Sequence, residues 1–175
     1  DHRDLHSFPT RRSSDLGLEI RTVPAAFAVK STWVWVLLPL VVDICSVMLS
    51  KWIAPEYLNH VFARSAGILS YDNLPKLIGT VFVLALGEEI AFRVVFQGTI
   101  RRYMKALPAI LITSLFFALA HLTFDTPAVV AYDLVFVFIN SIVYGIAFEK
   151  TKNGYISTIA HILSNLFGVL LIMMR

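Results

Sequence analysis

The sequence predicts an all-α fold, a polytopic membrane bundle of about five transmembrane helices. Three observations carry that expectation. Of 175 residues, 57% are hydrophobic and only 15% charged, mean hydropathy is +0.72, and the apolar residues gather in long runs without the alternation that gives a globular helix one wet face. A soluble domain has roughly 45–50% apolar and about 25% charged residues, so a soluble enzyme and a disordered tail are both excluded.

Residues 1–16 (DHRDLHSFPTRRSSDL) are polar and basic, lack an apolar core and stop abruptly at Gly17, so they form neither a signal peptide nor a span. The run HSFPTRRSSDL can be encoded by a widely used short-read sequencing adapter. It therefore reads as a translated artefact joined to a reading frame that has lost its true N-terminus; a natural basic arm at the membrane surface is the alternative. Residues 17–175 are expected to form the membrane-embedded domain.

A hydrocarbon core takes roughly 20 apolar residues as a helix. Five segments qualify or nearly so: 32–50, 78–100, 107–122, 129–148 and 156–174. The third is short and carries Pro108 in its first turn, where a missing N–H costs nothing. Pro127 precedes the fourth, and Asn153 and Gly154 follow it. The connection 51–76 is punctuated by Pro55, Tyr71, Asp72 and Asn73, holds short apolar clusters such as Val61 and Phe62, and is expected to lie along the interface as an amphipathic piece.

Arg101, Arg102 and Lys105 fill the second connection between spans, and Lys150 and Lys152 the last, which orients both toward the cytoplasm. The loop near Asp125 then lies outside. The formal net charge of +3 and pI near 9.1 therefore reflect orientation in a bilayer rather than a nucleic-acid partner. A single cysteine, Cys45, excludes an intramolecular disulfide and a multi-cysteine zinc site. Chemistry is left to His, Asp, Glu and Asn.

Ionisable groups at bilayer depth cost roughly 2.5–3.5 kcal/mol each on insertion scales and mark function. The second span carries Glu88, Glu89 and Arg93. Glu89 and Arg93 are four residues apart, share a helix face and can pair. Glu88 is rotated by about 100°, which leaves its carboxylate free to face a cavity as a general base. The same four-residue spacing recurs in Phe117 with His121 and in His161 with Asn165. A neutral imidazole relays a proton, and a second imidazole with an amide can hold a developing oxyanion.

Glu88, His121, His161 and Asn165 thus offer a base, a relay and a two-donor hole for water attacking a peptide carbonyl. Each also has a structural reading, as an ion pair, an interhelical hydrogen bond or packing. Phe117 is expected to pack beside His121. Asp43 and Asp133 read as structural or proton-path residues. Regular α-helices place Glu88 near mid-membrane, His121 toward the outer end and His161 toward the inner side, so a common site requires tilted or shifted helices or a re-entrant 122–129 segment.

The three elements in this order, EExxxR at Glu88–Arg93, FxxxH at Phe117–His121 and HxxxN at His161–Asn165, resemble the CAAX protease and bacteriocin-processing family. These are intramembrane glutamic endopeptidases of the Ras-converting-enzyme type, also called the CPBP or Abi family. The resemblance runs from about Ile78 to the C-terminus and includes EKTKNGYISTIAHILSN around the last motif. It implies an all-helical membrane core in which Glu88 and His121 activate water, His161 and Asn165 stabilise the oxyanion, and Glu89 and Arg93 support the site.

It further implies no cofactor, a peptide or protein substrate presented at the membrane, either CAAX-type and prenylated or bacteriocin-like, and a bacterial cytoplasmic membrane as location. Three alternatives stand beside it: a zinc-dependent protease using two histidines and a glutamate, although no HExxH run occurs; a non-catalytic immunity or scaffold protein; and a proton or ion path through Asp43, Glu88 and His121.

Overall fold

The computed structural model describes residues 27–28, 30–66 and 73–174; the artefact expected at 1–16 lies outside them. Six helical elements follow in order: α1 Thr32–Ile53, α2 Tyr57–Ala66, α3 Leu74–Glu89, α4 Ala106–Ala120, α5 Pro127–Thr151 and α6 Gly154–Met173. After Glu89 the third helix continues through a π-helical stretch, Ile90–Gln97, into a last α turn, Gly98–Ile100. No strand occurs among the described residues. The fold is an all-α bundle, and each expected span forms helix within a few residues of its expected limits.

Local chemistry explains the boundaries. The Asn73 side chain accepts from the Lys76 amide at 3.0 Å with Pro75 inside the first turn, a start signal in which one side chain satisfies an orphan N–H. Asn153 does the same for α6, accepting from the Tyr155 amide at 2.8 Å. Just before it, Lys152 takes the left-handed conformation (φ 53°) that ends α5, so two residues turn the chain from α5 into α6. The connection expected at the interface supplies α2, which packs on α5 and α1.

The bundle is apolar outside and polar inside. Trp33, Leu37, Ile44, Met48 and Trp52 of α1 are exposed, whereas Glu89, Arg93, Gln97, Asp133 and Ser141 are buried. Water would reject so continuous an apolar exterior, and lipid accepts it. By length and composition, α1, α5 and residues Gly154–Leu171 of α6 can cross a membrane. At 15 residues, α4 reaches about 22 Å, short of a hydrocarbon core of about 30 Å.

The second expected span is not the regular α-helix that the sequence pattern predicts. A π turn takes more residues than the 3.6 of an α turn, which cancels the drift that carries a four-residue repeat around a helix. Glu89, Arg93 and Gln97 consequently stay on one face, each fully buried. Arg93 donates from Nη2 to Ser141 Oγ at 2.9 Å, and Gln97 from Nε2 to the Gly145 carbonyl at 3.1 Å. Gly145 permits this approach: a Cβ there would lie 2.9 Å from Gln97 Oε1 and 3.0 Å from Ile110, so α3, α4 and α5 meet where only a hydrogen fits.

Candidate active site

Glu89 and Arg93 form the floor. Arg93 Nε donates to Glu89 Oε2 at 3.2 Å, and the guanidinium lies over the ring of Phe117, 4.9 Å from its centroid, and 5.9 Å from that of Tyr144. The other oxygen, Glu89 Oε1, is 3.1 Å from His161 Nδ1. A carboxylate held by arginine accepts, so the hydrogen of that contact sits on Nδ1. Tyr144 stacks on the His161 ring at 4.7 Å and 19°. The imidazole is therefore held at its edge and on its face, with Nε2 directed away from Glu89.

His121 is oriented in the same manner from α4. It follows the last residue of that helix, and its Nδ1 lies 2.8 Å from the Phe117 carbonyl. A carbonyl only accepts, so this hydrogen too belongs to Nδ1 and leaves Nε2 bare in the neutral ring. The ring lies tilted against Phe117, at 4.6 Å between centroids and 32° between planes. Phe117 also meets Phe92 and His161 edge-on, at 5.0 and 5.8 Å. The residue expected to pack beside His121 touches both imidazoles and the guanidinium at once.

Both free nitrogens converge on the remaining acid. His121 Nε2 and His161 Nε2 each lie 3.8 Å from the same oxygen, Glu88 Oε2. That is too long for a hydrogen bond and suits a water seated beside both, about 2.8 Å from each partner. Glu88 is half-buried and lines a cavity of about 260 Å³ together with Phe117, His121, Tyr144, His161 and Asn165. Asn165 stands on α6 one turn beyond His161. The site residues taken from the sequence thus border one cavity, except Glu89 and Arg93, which lie beneath it. Different depths were expected for Glu88, His121 and His161; the short α4, which ends before His121, and the packing of α6 along α3 bring all three to one cavity.

Two further polar clusters adjoin the cavity. Asp43 of α1 accepts from Asn140 Nδ2 and from Ser164 Oγ, both at 2.6 Å, and so joins α1, α5 and α6. At the α2 side, Asp133 meets Arg64 through Nη1 and lies 3.5 Å from His60 Nε2. His60 Nδ1 is 2.8 Å from Asp125 Oδ2. The two acids without an assigned partner in the sequence are thereby both paired.

Tyr144, Ser141, Gln97, His60 and Arg64 are not among the site residues the sequence singles out. A signal existed for the first two: with Asp133 and Asn140 they fall on one face of α5, at spacings of seven, eight and eleven residues. Gln97 repeats the spacing of Glu89 and Arg93. His60 and Arg64 repeat that spacing on α2, but only tertiary packing brings α2 over the cavity. Among the described residues, no group of three or more His, Cys, Asp or Glu is arranged to hold a metal ion.

An apolar bundle that closes around acids, imidazoles and a guanidinium is an integral membrane protein with a polar interior. The sequence matches the family model of the type II CAAX prenyl endopeptidases, Rce1-like, over residues 70–167, more than half of the chain, and the protein belongs to this family of membrane proteases. The matched segment contains Glu88, Glu89, Arg93, Phe117, His121, His161 and Asn165. No curated protein and no solved structure matches the chain.

Proposed function

We propose that the protein is an intramembrane glutamic endopeptidase. It hydrolyses a peptide bond in a membrane-tethered chain of the CAAX type, in which a C-terminal motif carries a prenylated cysteine. The convergence of His121 Nε2 and His161 Nε2 on Glu88 Oε2, 3.8 Å from each, is the observation that carries the reading. A water there donates one hydrogen to Glu88 and the other to His121, leaving a lone pair for the scissile carbonyl. Glu88 takes the proton as the C–O bond forms.

The carbonyl oxygen becomes an oxyanion, received by the Asn165 amide and by His161. Glu89 holds His161 at Nδ1, so Nε2 is the ring atom turned toward the substrate, and a hydrogen carried there is the donor to the oxyanion. Collapse of the intermediate breaks the C–N bond, and the proton gathered by Glu88 passes through His121 to the leaving amine. The reaction needs no cofactor, and the chain works in a bacterial cytoplasmic membrane with the Arg101 and Lys150 ends facing the cytoplasm.

Cleavage of membrane-presented peptides by purified protein in detergent tests this. Glu88→Gln and His121→Ala should each lower kcat by about 10²–10⁴-fold, the usual worth of a positioned base, and chelator should change nothing. Turnover abolished by chelator would move the assignment to a metalloprotease. Equal activity in wild type and both variants would make Glu88 structural and end the glutamate reading.

A further inference from the structure

We propose that Asp43 of α1 is a positioning residue for the oxyanion site: through Ser164 it sets the rotation of α6, and with it the places of His161 and Asn165. This rests on the endopeptidase reading above. Asp43 lies outside the matched segment, 70–167, so the family match assigns it no role. Its Oδ1 accepts from Asn140 Nδ2 and its Oδ2 from Ser164 Oγ, both at 2.6 Å. A carboxylate only accepts, which fixes the direction of both bonds, and charge-assisted bonds of this kind are short and roughly twice as strong as neutral ones. With each oxygen engaged by a different helix, Asp43 holds rather than reacts.

The hold falls on the part of α6 that carries the site. Ser164 comes three residues after His161 and directly before Asn165. At 100° per residue, Ser164 lies about 60° to one side of His161 and Asn165 about 40° to the other. All three line the cavity together with Asp43. Glu89 grips the His161 ring, and a second grip at Ser164 opposes turning of α6 about its axis. The α5 side works in the same sense. Asn140 stands one turn before Tyr144, which stacks on His161 and lies beside Ser164. Asp43 thus ties together the two helices that hold one imidazole between them, and Asn165 rides on the tied stripe of α6. Freed of that tie, α6 can turn, and a donor displaced by about 1 Å forfeits much of its effect on the transition state.

The experiment measures cleavage of one membrane-presented peptide by Asp43→Ala, Ser164→Ala and the double variant. Each single change should lower kcat by about tenfold with KM nearly unchanged, since an oxyanion donor acts in the transition state. The double variant should fall no further than the slower single, because Asp43 acts through Ser164. Ser164→Thr, which keeps the hydroxyl, should restore most of the rate. A peptidyl aldehyde, whose hydrate resembles the tetrahedral intermediate, should bind Ser164→Ala protein about tenfold more weakly than wild type. Losses that multiply in the double variant, a loss carried by KM, or Ser164→Ala with the kcat of wild type would each overturn the proposal and leave the endopeptidase reading intact. A merely structural Asp43 would lower the thermal inactivation temperature with kcat per active molecule unchanged, which also overturns it. If Asp43→Ala does not fold, Ser164→Ala, Ser164→Thr and the aldehyde decide by themselves. Wild type without turnover ends both the endopeptidase reading and the proposal.

Discussion

Arg93 touches a different part of the molecule with each of its contacts: Glu89 on its own helix, Ser141 and Tyr144 on α5, and Phe117 on α4. A buried pair is a weak source of net stability, but stranding one partner costs about 3–5 kcal/mol. Arg93→Ala should therefore lower the thermal inactivation temperature in detergent sharply. Arg93→Lys should recover little, because one ammonium cannot reach Glu89 and Ser141 while lying flat on an aromatic ring. Phe117→Leu should keep the fold and lower kcat by about tenfold with KM unchanged, since the ring that holds both imidazoles is lost. The pairing of Glu89 with Arg93 was legible from spacing. The stacking of Tyr144 on His161 was not, because an aromatic residue in an apolar helix carries no mark of what it faces.

Among the elements, the π stretch and the crossing at Gly145 decide where the buried groups point. Gly145→Ala should destabilise the bundle by about 1–3 kcal/mol, the usual cost of overpacking, since its Cβ would collide with Gln97 and Ile110. Gly79→Ala on α3 is the matched control: nothing lies within 4 Å of its Cβ, so the change should be neutral or stabilising by up to about 1 kcal/mol from helix propensity. Unfolding of both variants in the same detergent separates the two. The helices were legible because they are apolar runs, several of them bounded by Pro, Asn or Gly. The π turn was not, because a four-residue polar spacing fits an α-helix almost as well.

Over the whole molecule, α2 is fastened across the cavity by Asp125, His60, Asp133 and Arg64. Asp125 lies in the loop after α4, and the Thr126 amide, followed by the His60 side chain, holds its carboxyl below the usual carboxylate value. A carboxyl depressed in the folded state contributes fully above its unfolded pKa of about 3.9 and loses that contribution as pH falls through the folded value. The protection of α2 amides, taken relative to their intrinsic exchange rate at each pH, should accordingly fall below about pH 4, and Asp125→Asn should flatten that dependence. Protection that does not change with pH in wild type would remove Asp125 from the fastening.

By itself the sequence determined the helical membrane class, the approximate limits of the helices, the Glu89–Arg93 pair and the seven residues that border or support the cavity, because hydropathy, helix periodicity and the cost of charge in lipid act locally along the chain. Only the tertiary structure decided that Glu88 faces two imidazoles at once, that Asp43 and Asp133 have partners, and that α2 brings Arg64 to the cavity. Those contacts join residues far apart in the chain, and their geometry depends on how short α4 is, on the widened turn after Glu89 and on the close crossing at Gly145.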